Sequence, residues 1–126
     1  LAGCRTDVAH CLHAMDIFLF PSQFEGMPNA MMEAQAAGLP VLASDVPSIR
    51  EHVPSAGRPF LAPLDDEKRW TDLLIRLHGN AELRASQGQI QREHALEHYA
   101  FEQRVEEFLQ VLEQQCGGPD VAPGRD

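Results

Sequence analysis

Residues 15–44 constrain the fold most strongly, because two short apolar runs in this stretch flank a polar turn and an alanine-rich segment. The apolar runs cover residues 17–20 and 41–43, and the alanine-rich segment covers residues 28–38. That segment opens with Pro28, which suits the first turn of a helix, and it closes with a glycine. A strand, a turn, a helix and a second strand in this order predict the βαβ unit of a parallel sheet.

Two carboxylates lie eight positions apart in this unit, Glu25 in the turn and Glu33 in the second turn of the helix. Both are expected near the carboxyl end of a strand, where open α/β sheets bind ligands. The free amides of residues 29–31 at the start of the helix suit a phosphate. Glu33 can accept a pair of hydroxyl hydrogen bonds. The spacing alone also allows an ordinary turn residue and a solvent-facing helix glutamate.

Residues 25–45, EGMPNAMMEAQAAGLPVLASD, resemble the Glu-x7-Glu segment of the retaining, nucleotide-sugar-dependent glycosyltransferases of family 4, which adopt the GT-B fold. The similarity runs from about residue 1 to residue 53, and more loosely to the last helix. The resemblance implies that Glu25 is catalytic and lies beside the donor sugar. It implies donor-binding roles for Gly26, Met27, Asn29, Ala30 and Glu33, with Glu33 on the ribose hydroxyls.

One position departs from the family pattern, because many members have glycine where this chain has Pro28. Proline removes an amide donor there, so phosphate contacts are expected to rest on Met27, Asn29 and Ala30.

The resemblance also implies an α/β fold, a partial Rossmann-like parallel sheet that forms the C-terminal half of a GT-B donor domain and is followed by C-terminal helices. Residues 1–64 are expected to form the βαβ donor-binding core, residues 65–116 the C-terminal helices of the same domain, and residues 117–126 a disordered tail. The chain is therefore expected to be a fragment. Its family also uses an upstream Arg and Lys and an N-terminal acceptor domain, so the isolated chain should be inactive.

The implied reaction of the parent enzyme moves a sugar from a nucleotide-diphosphate sugar to a hydroxyl acceptor, a sugar or lipid-linked sugar, with retention of configuration. Polysaccharide or glycoconjugate synthesis is the expected role. A non-catalytic α/β nucleotide-sugar-binding or regulatory module stays open as the alternative. A dehydrogenase is disfavoured, because the G-x-G-x-x-G fingerprint is absent from the sequence. The sugar, the base and the acceptor stay open, as does the choice between a truncated gene and a stand-alone module.

Composition limits the kinds of partner, compartment and cofactor that the chain is expected to have. A length of 126 residues allows one small domain. The net charge of −9, with Lys68 as the single lysine, argues against a nucleic-acid surface. No stretch is long and apolar enough for a membrane span.

Three scattered cysteines fit neither a disulfide framework nor a zinc site, and reduced thiols are typical of the cytoplasm. Peripheral membrane association of the intact enzyme stays open. No Asp-x-Asp occurs, so no metal cofactor is expected.

Apolar spacing and capping residues predict the remaining elements. These are a helix over residues 6–15, a short helix over 49–53, a last strand over 57–63, and helices starting near Asp65, Asn80 and Phe101. Ser48 and Glu51 are expected to form a capping box at the short helix. The helix after Asn80 is expected to be weakened by Gly88 and to use an apolar face of Leu83, Ile90 and Leu96.

Overall fold

Three parallel strands lie side by side in the order β1-β2-β3 in the computed structural model, which describes residues 6–99. The strands are β1 (Phe18–Phe20), β2 (Val41–Ser44) and β3 (Leu61–Ala62). The α-helices are α1 (Val8–His13), α2 (Asn29–Ala36), α3 (Pro47–Arg50), α4 (Glu67–His78) and α5 (Ala81–His98), and a 3₁₀ helix spans Ser55–Phe60. The predicted βαβ unit and the α/β fold class are confirmed.

The central strand β2 is buried along its whole length, because helices cover both faces of the sheet. Val41 lies opposite Phe18 of β1, and Ala43 lies opposite both Phe20 and Leu61. On one face the core contains Met31, Val41, Ala43, Ile49, Val53 and Leu61. On the other face it contains Leu42, Phe60, Ala62, Leu73 and Leu77. Successive residues of β2 thus face opposite cores, as the twofold period of a strand requires.

Two local predictions around α3 and β3 are wrong. The chain over 57–60 is not a strand, because it forms the second half of the 3₁₀ helix and leaves only Leu61–Ala62 to β3. Pro59 lies inside that helix and outside the sheet, so its missing N–H removes no hydrogen bond between strands. The capping box also fails: α3 begins at Pro47, and Val46 occupies the N-cap position with an apolar side chain.

The two long helices begin with the side-chain caps that their sequences favour. Asp66 Oδ1 accepts a hydrogen bond from the Arg69 amide at 2.9 Å, so α4 starts slightly later than Asp65. Asn80 Oδ1 accepts one from the Leu83 amide at 2.9 Å. Each bond satisfies one of the amides that a helix start leaves free. The predicted cap at Asn80 is therefore confirmed.

The helix α5 packs on α2 through a face that the sequence did not predict. Its buried residues are Gln87, Gly88, Gln91 and Ala95. Leu83 is half-buried and packs against the core around Leu73 and Leu77, Ile90 is half-buried, and Leu96 is 60% exposed, so the predicted apolar face is confirmed only at Leu83. Gly88 does not interrupt the helix. A Cβ atom on Gly88 would lie 2.1 Å from the carbonyl oxygen of Gly38, the residue with φ +78° that ends the α2 segment.

A buried pair of glutamines completes this contact. Gln35 of α2 donates from Nε2 to Gln91 Oε1 at 2.7 Å, and also to the His52 carbonyl oxygen at 2.9 Å. These bonds join α2, α5 and the segment after α3. No helix of residues 6–99 is long and apolar enough to cross a membrane. The predicted helix from Phe101 and the tail over 117–126 lie outside the described residues.

Candidate functional site

The candidate site is built on the loop over 21–28, which connects the carboxyl end of β1 to the start of α2. The neighbouring strand β2 ends at Ser44, whose buried hydroxyl donates to the Phe20 carbonyl oxygen at 3.4 Å. This contact links the carboxyl ends of β1 and β2. The loop therefore starts at the edge where parallel sheets place their ligand sites.

Glu25 is half-buried in this loop, and its carboxylate has a defined protein partner. The Ser22 hydroxyl donates to Glu25 Oε1 at 2.7 Å. A hydrogen bond from a hydroxyl to an ionised carboxylate is stronger than one between neutral groups. The sequence indicates Glu25 as a candidate but does not predict this bond, because serine is common in loops and no local pattern marks Ser22 as its partner.

The start of α2 presents fewer free amides than expected. Pro28 occupies the N-cap position and has no N–H. The Asn29 amide donates to the Met27 carbonyl oxygen at 2.9 Å, so a phosphate could use it only by replacing that bond. The amide of Ala30 belongs to the first turn and has no intrahelical acceptor. A Cβ atom on Gly26 would meet nothing within 4 Å, so the loop is open to solvent there.

Glu33 lies exposed on α2, at the junction of two surface depressions. The depression between α2 and α5 has a volume of about 410 Å³ and is lined by Asn29, Met32, Glu33, Ala36, Ala95, Leu96 and Tyr99. The depression between α1 and α2 has a volume of about 400 Å³ and is lined by Val8, Ala9, Leu12, His13, Glu33, Ala36 and Ala37. Small side chains beside Glu33 thus leave its carboxylate open to a ligand.

The structure places Asn29 and Glu33 on the same wall of the depression between α2 and α5. They are four positions apart on one helix, which puts their side chains on one face. A group bound at the first turn of α2 is therefore within one helical turn of the Glu33 carboxylate.

Polar residues after α2 form a cluster that sequence reasoning missed. Tyr99, the single tyrosine of the chain, donates from its hydroxyl to the His52 carbonyl oxygen at 3.1 Å. The same hydroxyl lies 3.3 Å from His94 Nε2. His94 packs edge-on against His98, with ring centroids 4.4 Å apart. Spacing alone makes His94 and His98 simple helix-surface histidines, but His94 is half-buried beside Tyr99, whose bond to His52 joins this end of α5 to a distant part of the chain.

Burial lowers the pKa of His94 from its ordinary value of 6.5, and the neighbouring His98 lowers it further. The folded chain therefore releases this proton more readily than the unfolded chain. Below pH 6.5 the unfolded state binds more protons, so stability is expected to fall as the pH drops through 6.5 toward the lower folded pKa.

We expect His94→Gln to reduce this acid sensitivity, measured as the change in the urea midpoint between pH 7.5 and pH 5.5. His10→Gln, at an exposed position of α1, is the control and should keep the pH dependence of the unsubstituted chain. An unchanged slope in His94→Gln would contradict the assignment.

The polar residues after β2 have partners of their own. Arg50 Nε donates to Asp45 Oδ1 at 2.8 Å, which neutralises a cation at the carboxyl edge of the sheet. His52 Nε2 lies 3.7 Å from Glu51 Oε1. Among residues 6–99, no group of three or more His, Cys, Asp or Glu side chains is placed to hold a metal ion.

Comparison with known proteins gives a consistent set of matches. The family described as "Glycosyl transferases group 1" matches residues 1–80. The UDP-Gal:alpha-D-GlcNAc-diphosphoundecaprenol alpha-1,3-galactosyltransferase of Escherichia coli is 38% identical over 77 residues, which cover 61% of this chain and 20% of that protein. No solved structure matches the chain significantly.

Two further relatives have similar coverage. The D-inositol 3-phosphate glycosyltransferase of Saccharomonospora viridis is 34% identical over 89 residues, or 71% of this chain and 21% of that protein. The amylovoran biosynthesis glycosyltransferase AmsK of Erwinia amylovora is 38% identical over 82 residues, or 58% of this chain and 19% of that protein. The chain thus spans about a fifth of the length of these curated relatives.

Proposed function

The chain belongs to the group 1 glycosyl transferases, and we propose that its full-length protein transfers a sugar from a nucleotide-diphosphate sugar to a hydroxyl acceptor with retention of configuration. The described residues would supply the C-terminal part of the donor-binding domain. One observation carries this proposal: Glu25 and Glu33 flank the start of α2 at the carboxyl edge of a parallel sheet, and the Glu33 carboxylate is open to a ligand.

In the proposed site Glu33 accepts hydrogen bonds from the ribose hydroxyls of the donor. The first turn of α2 and the loop before it, through Gly26, Met27, Asn29 and Ala30, hold the diphosphate and the sugar. Helix-start amides and their partial positive charge favour such an anion. They also stabilise the negative charge that develops on the leaving diphosphate.

In this proposal Glu25 lies beside the donor sugar, where its negative charge can stabilise the positive character that the sugar acquires at the transition state. This contact strengthens as the leaving bond breaks, so it acts on the rate of the chemical step rather than on donor affinity. The proposal includes no metal cofactor, since the sequence has no Asp-x-Asp. Addition of EDTA should leave the rate unchanged.

The acceptor in this proposal is the hydroxyl of a sugar or a lipid-linked sugar, and the role is polysaccharide or glycoconjugate synthesis in the cytoplasm, with peripheral membrane association. Support comes from relatives whose names include a diphosphoundecaprenol-linked acceptor and the synthesis of amylovoran. The acceptor would bind outside the residues that the structure describes.

The test is donor binding and turnover by the full-length gene product, with nucleotide-diphosphate sugars screened by isothermal titration calorimetry. Glu33→Ala is expected to raise KM for the donor by about 5- to 150-fold, which corresponds to the roughly 1–3 kcal/mol of a lost polar contact. Because the ribose contact is the same in the ground state and the transition state, kcat should change little.

Glu93→Ala is a matched control, because Glu93 is also an exposed helix glutamate and bonds to Gln89 at 2.7 Å on α5. Its KM should stay that of the unsubstituted enzyme. Donor binding without turnover on any acceptor would favour a non-catalytic nucleotide-sugar-binding module instead. Equal, small effects of both substitutions would remove Glu33 from the site.

A further inference from the structure

Ser22 lies two residues beyond the end of β1, in the loop that carries Glu25. Its hydroxyl donates to Glu25 Oε1 at 2.7 Å, and the Phe24 carbonyl oxygen lies 3.4 Å from the same hydroxyl. A hydroxyl has one proton to donate, and the shorter distance and the charged acceptor both favour the carboxylate. We infer that Ser22 is a positioning residue that fixes the Glu25 carboxylate for the transfer step, an inference that rests on the proposed function.

The Glu25 carboxylate needs an external constraint, because a glutamate side chain turns about three bonds and the loop over 21–28 has no regular ladder to hold it. Within residues 6–99, the bond from Ser22 is the one hydrogen bond that the structure gives to this carboxylate. The hydroxyl uses one lone pair of Oε1, so Oε2 keeps both of its lone pairs for the substrate. The serine thus restricts the rotation of the Glu25 carboxylate.

The backbone that precedes the serine suits this task. Pro21 directly precedes it and fixes its own φ near −65°, which limits the freedom of the chain as it leaves β1. The start of β1 is held by the Phe18 amide, which donates to the Pro40 carbonyl oxygen at 3.0 Å, and its end by the contact of Ser44 with Phe20. Ser22 therefore holds the Glu25 carboxylate at a defined position relative to the carboxyl edge of the sheet.

The effect of removing the hydroxyl should appear in kcat, because a misplaced catalytic group lowers the rate without changing the groups that bind the donor. In the full-length enzyme, Ser22→Ala is expected to lower kcat by about tenfold and to leave KM for the donor within about twofold. Ser22→Thr keeps a hydroxyl at the same place and should restore most of kcat. Ser22→Cys keeps the size with a weak donor and should resemble the alanine variant.

The matched control is Ser48→Ala, since Ser48 is a half-buried serine of α3 and the structure gives α3 no side-chain cap. Its kcat should match that of the unsubstituted enzyme. A double-mutant cycle with Glu25→Gln separates positioning from loop stability: in the Glu25→Gln enzyme, Ser22→Ala should cost little further rate. If Ser22→Ala fails to fold, the same cycle with Ser22→Cys gives the answer.

The two possible failures have different signatures. If Glu25→Gln lowers kcat while Ser22→Ala and Ser22→Cys do not, the positioning inference is overturned and the proposed function stands. If Glu25→Gln itself leaves kcat unchanged, the assigned role of Glu25 fails, and the inference fails with it. Additive effects of the two substitutions would show that Ser22 acts on the loop rather than through Glu25.

Discussion

Gly88→Ala is expected to destabilise the chain by about 3 kcal/mol or more, even though alanine favours an isolated helix by about 1 kcal/mol over glycine. The Cβ atom would lie 2.1 Å from the Gly38 carbonyl oxygen and 3.1 Å from the Gly38 carbonyl carbon. Both atoms belong to the backbone, so no side chain can rotate away. To make room, α5 must move off the end of α2, which also loosens the buried Gln35–Gln91 bond.

Urea unfolding of the expressed chain, followed by circular dichroism, measures this loss. Gly79→Ala is the control, because Gly79 has an ordinary φ of −77° and its Cβ would approach a single atom, the Ile75 carbonyl oxygen, at 3.3 Å. We expect the control to change the free energy of unfolding by less than about 1 kcal/mol. A Gly88→Ala chain as stable as the unsubstituted one would contradict the close approach of α5 to α2.

Local sequence signals were sufficient for the first half of the fold. The apolar runs that became β1 and β2 are each flanked by proline, and the α2 segment ends at Gly38, whose φ of +78° is one that glycine adopts readily. The predicted strand over residues 57–63 was wrong at its start, because the apolar residues and proline of 57–60 fit an edge strand and a 3₁₀ turn equally well. The choice between them depends on neighbours that the sequence does not reveal.

The buried face of α5 could not be predicted for a different reason. Gln87, Gly88 and Gln91 are polar or small, and a pattern based on apolar spacing ranks them as surface residues. Gln91 is buried because it finds a partner in Gln35, 56 positions away, and Gly88 is buried because it admits the Gly38 carbonyl. Burial of this kind depends on tertiary pairing, which no window of local sequence contains.

Some features of the candidate site were likewise predictable from the sequence, and others were not. The spacing of Glu25 and Glu33 predicted that both would lie around the start of α2, and they do. The bond from Ser22 to Glu25, and the bond that engages the Asn29 amide, are set by loop geometry. A sequence pattern identifies which residues reach a site, whereas the loop conformation decides which of their atoms remain available to a ligand.

The helix α2 contributes both to the packing of the fold and to the candidate site. Its last turn and Gly38 pack against α5, while its first turn and Glu33 border the candidate donor site. Because the depression beside Glu33 lies between α2 and α5, a displacement of α5 at Gly88 should weaken donor binding by the folded protein and also lower the amount of folded protein. A substitution within the site should instead change kinetics without changing stability, and this contrast separates the two roles of the helix.

Glu25→Gln in the full-length enzyme is expected to lower kcat on the order of 100-fold and to leave KM for the donor nearly unchanged. The substitution removes the negative charge but keeps the size of the side chain and an oxygen that can accept the bond from Ser22. In the proposed reaction the charge matters most when the sugar becomes positive at the transition state, whereas in the proposed site the Glu33 carboxylate and the amides of α2 hold the ground-state donor.

Steady-state kinetics with the donor varied, together with melting curves, measures this effect, and Glu33→Gln is the matched control with the same chemical change. The control should raise KM and largely keep kcat, the opposite division from that of Glu25→Gln. The melting temperatures of both variants should stay close to that of the parent, because neither change creates a cavity. An unchanged kcat in a folded Glu25→Gln enzyme would mean that this carboxylate takes no part in the chemistry, and that the loop over 21–28 only binds the donor.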